Sequence, residues 1–166
     1  MQSYWEYFTT PIGTLIVKAN DLGITKVYLG DENETEQAIK NCENGKAQMY
    51  VKQACVELGE YFSGKRKRFD VPVHLQGTPF QESVWEALRE IPYGETRSYK
   101  QIAERIGNPK ATRAVGMANN RNKILLLVPC HRVIGANGSM VGFGCGLSVK
   151  EYLLAMEKRY TFFNEE

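Results

Sequence analysis

The feature that most constrains this chain is the run Ile124-Leu125-Leu126-Leu127-Val128, closed by Pro129 and followed at once by Cys130-His131-Arg132-Val133. Five consecutive apolar residues call for burial, and a proline has no N–H with which to continue a ladder. The run therefore reads as a buried strand that stops abruptly. The first residue past the stop that can do chemistry is a cysteine, with a histidine beside it. A thiol at the rigid end of a core element, next to a possible base and an arginine, is a candidate nucleophile. Adjacent Cys and His are a weak pattern alone, so the surroundings must decide.

Charge is the first of those surroundings. Residues 1–96 carry 10 Lys/Arg and 14 Asp/Glu, a balance of −4, and residues 133–166 carry 3 and 4, or −1. Residues 97–132 carry 8 Lys/Arg against the single acid Glu104, a balance of +7. The cationic segment leads straight into Cys130. It suits a polyanionic partner, and a merely solvated basic face is the alternative.

Several classes are excluded. No apolar run reaches membrane-spanning length, and Met1-Gln2-Ser3-Tyr4-Trp5-Glu6 lacks the basic-then-apolar layout of a signal peptide. A cytoplasmic protein with reduced thiols and no membrane association is expected. The four cysteines show no CxxC spacing and the only histidines are His74 and His131, so no metal site is expected. No glycine-rich phosphate loop follows a strand, so no cofactor is expected either. Cys42 and Cys55 have no supporting motif and read as structural.

Two textures divide the chain. Tyr4 to Phe8, Thr14 to Lys18 and Ile24 to Leu29 alternate and are rich in β-formers. Pro11-Ile12-Gly13 and Asn20-Asp21-Leu22-Gly23 punctuate them as turns, which predicts an antiparallel meander. Asp31 to Lys46 has room for a short helix. Ala47 to Phe62 reads as an amphipathic helix with Tyr50, Ala54, Leu58 and Tyr61 on one face, ended by Ser63-Gly64 and four basic residues. Phe69 to Leu75 reads as a further strand. From Thr78 the texture is helical: Thr78 caps a helix with Pro79 at its first position, running through Val84, Trp85, Leu88 and Ile91. Ser98 caps a second helix from Tyr99 to Ile106, and Asn108-Pro109 opens a third from Lys110. Two short helices joined at Gly107 have the layout of a helix-turn-helix, with a plain helical hairpin as the alternative. The second of them is rich in Ala, Gly and Met, which favours close, sequence-neutral contact over base reading.

Together these residues resemble a known family. Gly107-Asn108-Pro109-Lys110-Ala111-Thr112-Arg113-Ala114-Val115-Gly116, then Pro129-Cys130-His131-Arg132-Val133, then Gly144-Cys145-Gly146-Leu147 leading to Glu157 resemble the O6-alkylguanine-DNA alkyltransferases in order and spacing. The likeness covers about residues 78–158, and Thr10-Pro11-Ile12-Gly13 resembles the family's opening hairpin. It implies an α/β fold of the α+β type. Residues 1–76 would be a small antiparallel sheet with flanking helices, and residues 77–166 a mostly helical domain with a DNA-binding helix-turn-helix.

The resemblance also implies a function. The partner would be double-stranded DNA containing O6-alkylguanine, bound by a monomer through the minor groove. The damaged base would flip out, and its alkyl group, or that of O4-alkylthymine, would pass irreversibly and stoichiometrically to Cys130. His131, oriented by Glu157, would take the thiol proton through a bridging water, a hydrolase triad without the hydrolysis step. Tyr99 would polarise the guanine and help rotate it outward, and Asn122 would brace the turn holding Cys130. Arg113 would fill the vacated stack, with Thr112 and Ala114 also at the DNA. Arg132 would anchor the structure or contact phosphate. Val133, Phe143, Gly144 and Cys145 would line the guanine pocket, Phe143 standing where several relatives have tyrosine. Some relatives bind zinc in their N-terminal half; with no Cys or His before Cys42, that site is not expected. A non-catalytic lesion sensor and a cysteine hydrolase are the competing readings. The sensor leaves Cys130 inert, and the hydrolase leaves the basic helices without purpose.

Overall fold

The structure is a computed structural model and describes residues 2–30, 41–135 and 146–163. The meander forms as the alternation predicts: β1 (Ser3–Thr10), β2 (Gly13–Asn20) and β3 (Gly23–Leu29) pair antiparallel in that order. Leu15, Ile16 and Val17 are all fully buried, and since successive strand residues face opposite ways, β2 is covered on both faces. The β2–β3 turn is held by Asn20 Oδ1, which accepts from the N–H groups of Leu22 and Gly23. Gly23 has φ +152, and a Cβ there would lie 2.8 Å from the carbonyl oxygen of Pro72. Only glycine lets that segment approach.

Helix α1 (Lys46–Phe62) packs on the sheet through Ala47, Val51, Ala54, Leu58 and Tyr61, one helical stripe. Tyr50, expected on that stripe, is half-buried, and Val51 takes its place. The strand expected over residues 69–75 does not form; Val73 makes only an isolated bridge with Ile24. The buried Glu57 carboxylate captures the N–H groups of Asp70 and Val71, and Pro72 has none. Three successive residues therefore offer no donor to a ladder.

The apolar run at 124–128 is buried throughout, as expected, but it is not a strand. Ile124 makes an isolated bridge with Val27, and Leu126 then turns left-handed at φ +72. The chain divides into two compact units, Met1–Leu75 with Lys123–Leu125, and Gln76–Asn122 with Leu126–Glu166. Hydrogen bonds from Val27 N–H to the Lys123 carbonyl and from Leu125 N–H to the Val27 carbonyl tie those three residues to the first unit. A boundary drawn at residue 76 does not foresee that excursion.

The second unit is mostly helical: α2 (Pro79–Arg89), α3 (Tyr99–Arg105), α4 (Thr112–Asn120) and α5 (Leu147–Phe163). Thr78 and Gln81 cap α2 reciprocally, and Ser98 and Gln101 do the same for α3. Helix α4 begins two residues later than Lys110, because Ala111 N–H closes a turn onto the Asn108 carbonyl first. Helices α2, α3 and α4 pack together, with the Trp85 indole N–H donating to the Ala118 carbonyl at 2.9 Å. A two-residue parallel ladder joins β4 (Arg97–Ser98) to β5 (Val133–Ile134). Among the described residues no helix is long and apolar enough to cross a membrane.

Candidate active site

Pro129 ends the apolar run, and Cys130, His131 and Arg132 form a single turn of 3-10 helix before β5. All three are buried: Cys130 is 3% exposed, His131 1% and Arg132 6%. Cys130 is in no disulfide. Side chains from other segments hold the Val128 carbonyl just before it and its own carbonyl. The Asn122 amide donates to the Val128 carbonyl at 2.8 Å, and the Asn119 amide to that of Cys130 at 3.4 Å. Lys150, fully buried on α5, donates from Nζ to the Val133 carbonyl.

Glu157 on α5 is fully buried and collects four N–H groups. His131 Nε2 lies 2.6 Å from Oε2, Arg132 grips both oxygens from Nε (2.9 Å) and Nη2 (3.0 Å), and Gly94 N–H donates at 3.2 Å. Arg132 also reaches the Ile91 carbonyl at 2.8 Å, and its guanidinium lies over the Tyr93 ring. Gly94 has φ +80, and a Cβ there would collide with the Thr161 hydroxyl. A side chain at position 94 would disturb the backbone donor that Glu157 uses.

The electrostatics fix the protonation states. Burial alone would push the Glu157 carboxyl up, but His131 and the Arg132 guanidinium hold it well below the usual carboxylate range. Burial pushes His131 down, outweighing the pull of Glu157, so the ring is neutral at pH 7. An ionised Glu157 then takes the proton-bearing Nε2 as a donor, which leaves the lone pair on Nδ1. The site thus holds a neutral base, oriented by a permanent anion, adjacent in sequence to a buried thiol.

Tyr99 opens α3 immediately after β4, and the β4–β5 ladder sets Ser98 opposite Ile134. Its ring packs beside Gly116 of α4. Burial, reinforced by Cys130, pushes the Tyr99 hydroxyl up, so it stays a proton donor at neutral pH. Thr112, Arg113 and Ala114 form the first turn of α4 and are exposed, as is Met117 one turn on.

The structure therefore brings Cys130, His131, Arg132, Val133 and Glu157 together and ties Tyr99 and Asn122 to the same segment. Arg132, for which anchoring and phosphate contact were both open, is an internal brace: its guanidinium is buried, and Glu157 and Ile91 occupy its donors. Phe143, Gly144 and Cys145 lie outside the described residues. Sequence reasoning missed Asn119 and Lys150. Lys150 had a signal, since Lys150, Leu153 and Glu157 follow i, i+3, i+7 spacing and share the buried face of α5. Asn119 had none, because a polar residue near the end of a short helix reads as exposed. Among the described residues no cluster of three or more His, Cys, Asp or Glu could hold a metal ion.

Comparisons with known proteins agree over most of the chain. Residues 79–159 match the family described as the 6-O-methylguanine DNA methyltransferase DNA binding domain, and residues 3–75 match its ribonuclease-like domain. A methylated-DNA–protein-cysteine methyltransferase of Methanosarcina acetivorans is 48% identical over 93% of this chain and 97% of its own. The constitutive one of Bacillus subtilis is 43% identical over 94% and 96%. The crystal structure of Mycobacterium tuberculosis O6-methylguanine methyltransferase superposes with a TM-score of 0.83 at 40% identity, covering 98% of this chain and 99% of that one. A complex of the mycobacterial protein with DNA gives 0.83 at 41% identity, covering 95% and 94%.

Proposed function

The chain belongs to the O6-methylguanine DNA methyltransferase family, and from that membership we propose that it takes the alkyl group of O6-alkylguanine in duplex DNA onto Cys130, once per molecule. DNA repair by alkyl transfer to a cysteine is the family's reaction. The finer assignment is supported by one observation: the buried thiol is adjacent in sequence to a neutral histidine whose Nε2 is committed to an ionised, arginine-clamped Glu157.

Displacement at an alkyl carbon needs a thiolate. His131 Nδ1 takes the Cys130 proton, and Glu157 stabilises the imidazolium that forms. The sulfur attacks the alkyl carbon, an S–C bond forms and the C–O6 bond breaks. The electron pair leaves on the guanine, which accepts a proton as it departs. Tyr99, kept protonated, donates a hydrogen bond to the guanine and makes it a better leaving group. The product is a thioether with no electrophilic carbonyl for water to attack, so the thiol is not regenerated. O4-alkylthymine carries the equivalent alkyl–oxygen bond and is a second substrate of the same step.

Cys130 is too deep to reach a stacked base, so the damaged nucleotide must swing out of the duplex. The exposed first turn of α4 suits that task. Thr112 and Ala114 let the helix approach a minor groove closely, and Arg113 is long enough to fill the gap in the stack. The protein acts as a monomer in the cytoplasm, where thiols stay reduced.

The test is intact mass followed by peptide mapping, after incubation with duplex DNA containing a single O6-methylguanine. One methyl gained on the Cys130 peptide, never more than one per chain and absent in Cys130→Ser, is the expected result. Lesion binding without any gain in mass would replace this reading with a sensor.

A further inference from the structure

The segment that closes α1 carries four cations in succession, Lys65-Arg66-Lys67-Arg68. Residues 1–75 hold 9 Lys/Arg against 10 Asp/Glu, so nearly half of their cations stand in those four positions. The loop is firmly built. Gly64 turns it at φ +77, and the N–H groups of Ser63 and Lys65 return to the carbonyls of Gly59 and Glu60 at 3.1 and 2.8 Å. Arg66 folds back, with Nε on Glu60 and Nη1 on both Asp70 and the Arg68 carbonyl, at 2.9 to 3.0 Å. That one side chain offsets Glu60 and Asp70 and orders the loop, while Lys65, Lys67 and Arg68 stand exposed. The dipole of α1 accounts for a cation next to its C-terminus, but its influence fades within the last turn and does not extend to Lys67 and Arg68.

We propose that this loop is a second phosphate contact for duplex DNA, made by Lys65, Lys67 and Arg68 independently of α3 and α4. Long cations on a fixed backbone, with no apolar residue among the three, suit a partner recognised by charge and reach alone. The sugar–phosphate backbone is such a partner, whereas a protein interface needs an apolar centre. The contact reads no sequence; it adds affinity during search. It relies on the preceding reading only in taking DNA as the partner.

The experiment measures binding of the full chain and of the K65Q/K67Q/R68Q variant to a labelled, undamaged duplex of about three helical turns, across a salt series. Each phosphate neutralised contributes about 0.9 to the slope of log affinity against log salt. The variant's slope should therefore be shallower by about 2.7. Its deficit relative to the native chain should shrink roughly fortyfold between about 50 and 200 mM salt. Equal slopes for the two proteins would overturn the proposal. Should the triple variant melt early, the single variants decide, each expected to lower the slope by about 0.9. Methyl gain at Cys130 is scored separately. A native chain that fails to methylate while the slopes still differ would sink the transfer reading and leave this one standing.

Discussion

Two apolar runs of this molecule, Leu15-Ile16-Val17 and Leu125-Leu126-Leu127-Val128, are alike in composition and both buried, yet they take opposite courses. The first is the centre of a sheet, with strands on either side to satisfy its backbone. The second is entered from the bridge between Ile124 and Val27, makes only isolated bridges, turns left-handed at Leu126, and leads into a 3-10 turn. An apolar run dictates burial. Its conformation depends on who supplies the backbone partners. Around Cys130 several of those partners are side chains, Asn122, Asn119 and Lys150, and each can be exchanged singly.

That difference predicts which substitutions cost function and which cost only stability. The largest effect should come from Glu157→Gln. It removes the anion that orients His131 and leaves Arg132 buried without its counter-charge. Single-turnover transfer should slow about a hundred- to ten-thousandfold, and chemical denaturation should show a loss of about 3–5 kcal/mol. In the sheet, Ile16→Ala should lower stability by about 2–5 kcal/mol, while the fraction that remains folded still transfers at the native rate. A loss of rate in that variant, measured well below its melting point, would erase the contrast between the two runs.

Asn122→Ala should lie between these. Losing one hydrogen bond to the Val128 carbonyl costs about 1 kcal/mol of stability, but the turn that carries Cys130 loses its brace. Transfer should therefore slow by more than the stability change alone suggests, with the loss in the single-turnover rate constant at saturating DNA rather than in DNA affinity. The smallest effect is the pH dependence. The folded chain resists protonating His131, whereas the unfolded chain protonates it near 6.5, so stability falls as pH drops below that value. Glu157, held low when folded, adds a second loss of the same sign below about 4.5, its unfolded value. Urea midpoints against pH should show both steps in native protein and only the second in His131→Asn. Ile16→Ala should lower the whole curve without changing its shape.

The legible parts of the fold were those with a local cause. Thr78 with Pro79, and Ser98, announce their helices because a cap and the turn it closes are local in sequence. The meander is visible because alternation and turn residues coincide. The shape around Cys130 was legible only in part: Asn122 was named through the motif resemblance, whereas Asn119 and Lys150 sit on helices whose sequences do not announce a backbone partner. The β4–β5 ladder is two residues long and has no periodicity to detect. At 69–75 the alternation was real, but Glu57, far back on α1, had already taken the donors a strand would need. Cys130, His131 and Glu157 stood out through motif resemblance. The network joining His131, Arg132 and Gly94 to Glu157 is a product of the fold.

A carboxylate offers about four lone-pair positions, and four N–H donors already point at Glu157. As a buffer, then, it has almost no capacity. It sets the potential at His131 but has little room to store the proton that Cys130 gives up. Under the proposed transfer, that proton rests on the imidazole only until the departing guanine carries it off. The leaving base thus discharges the site, and the alkylated protein ends with His131 in the same neutral state from which it began.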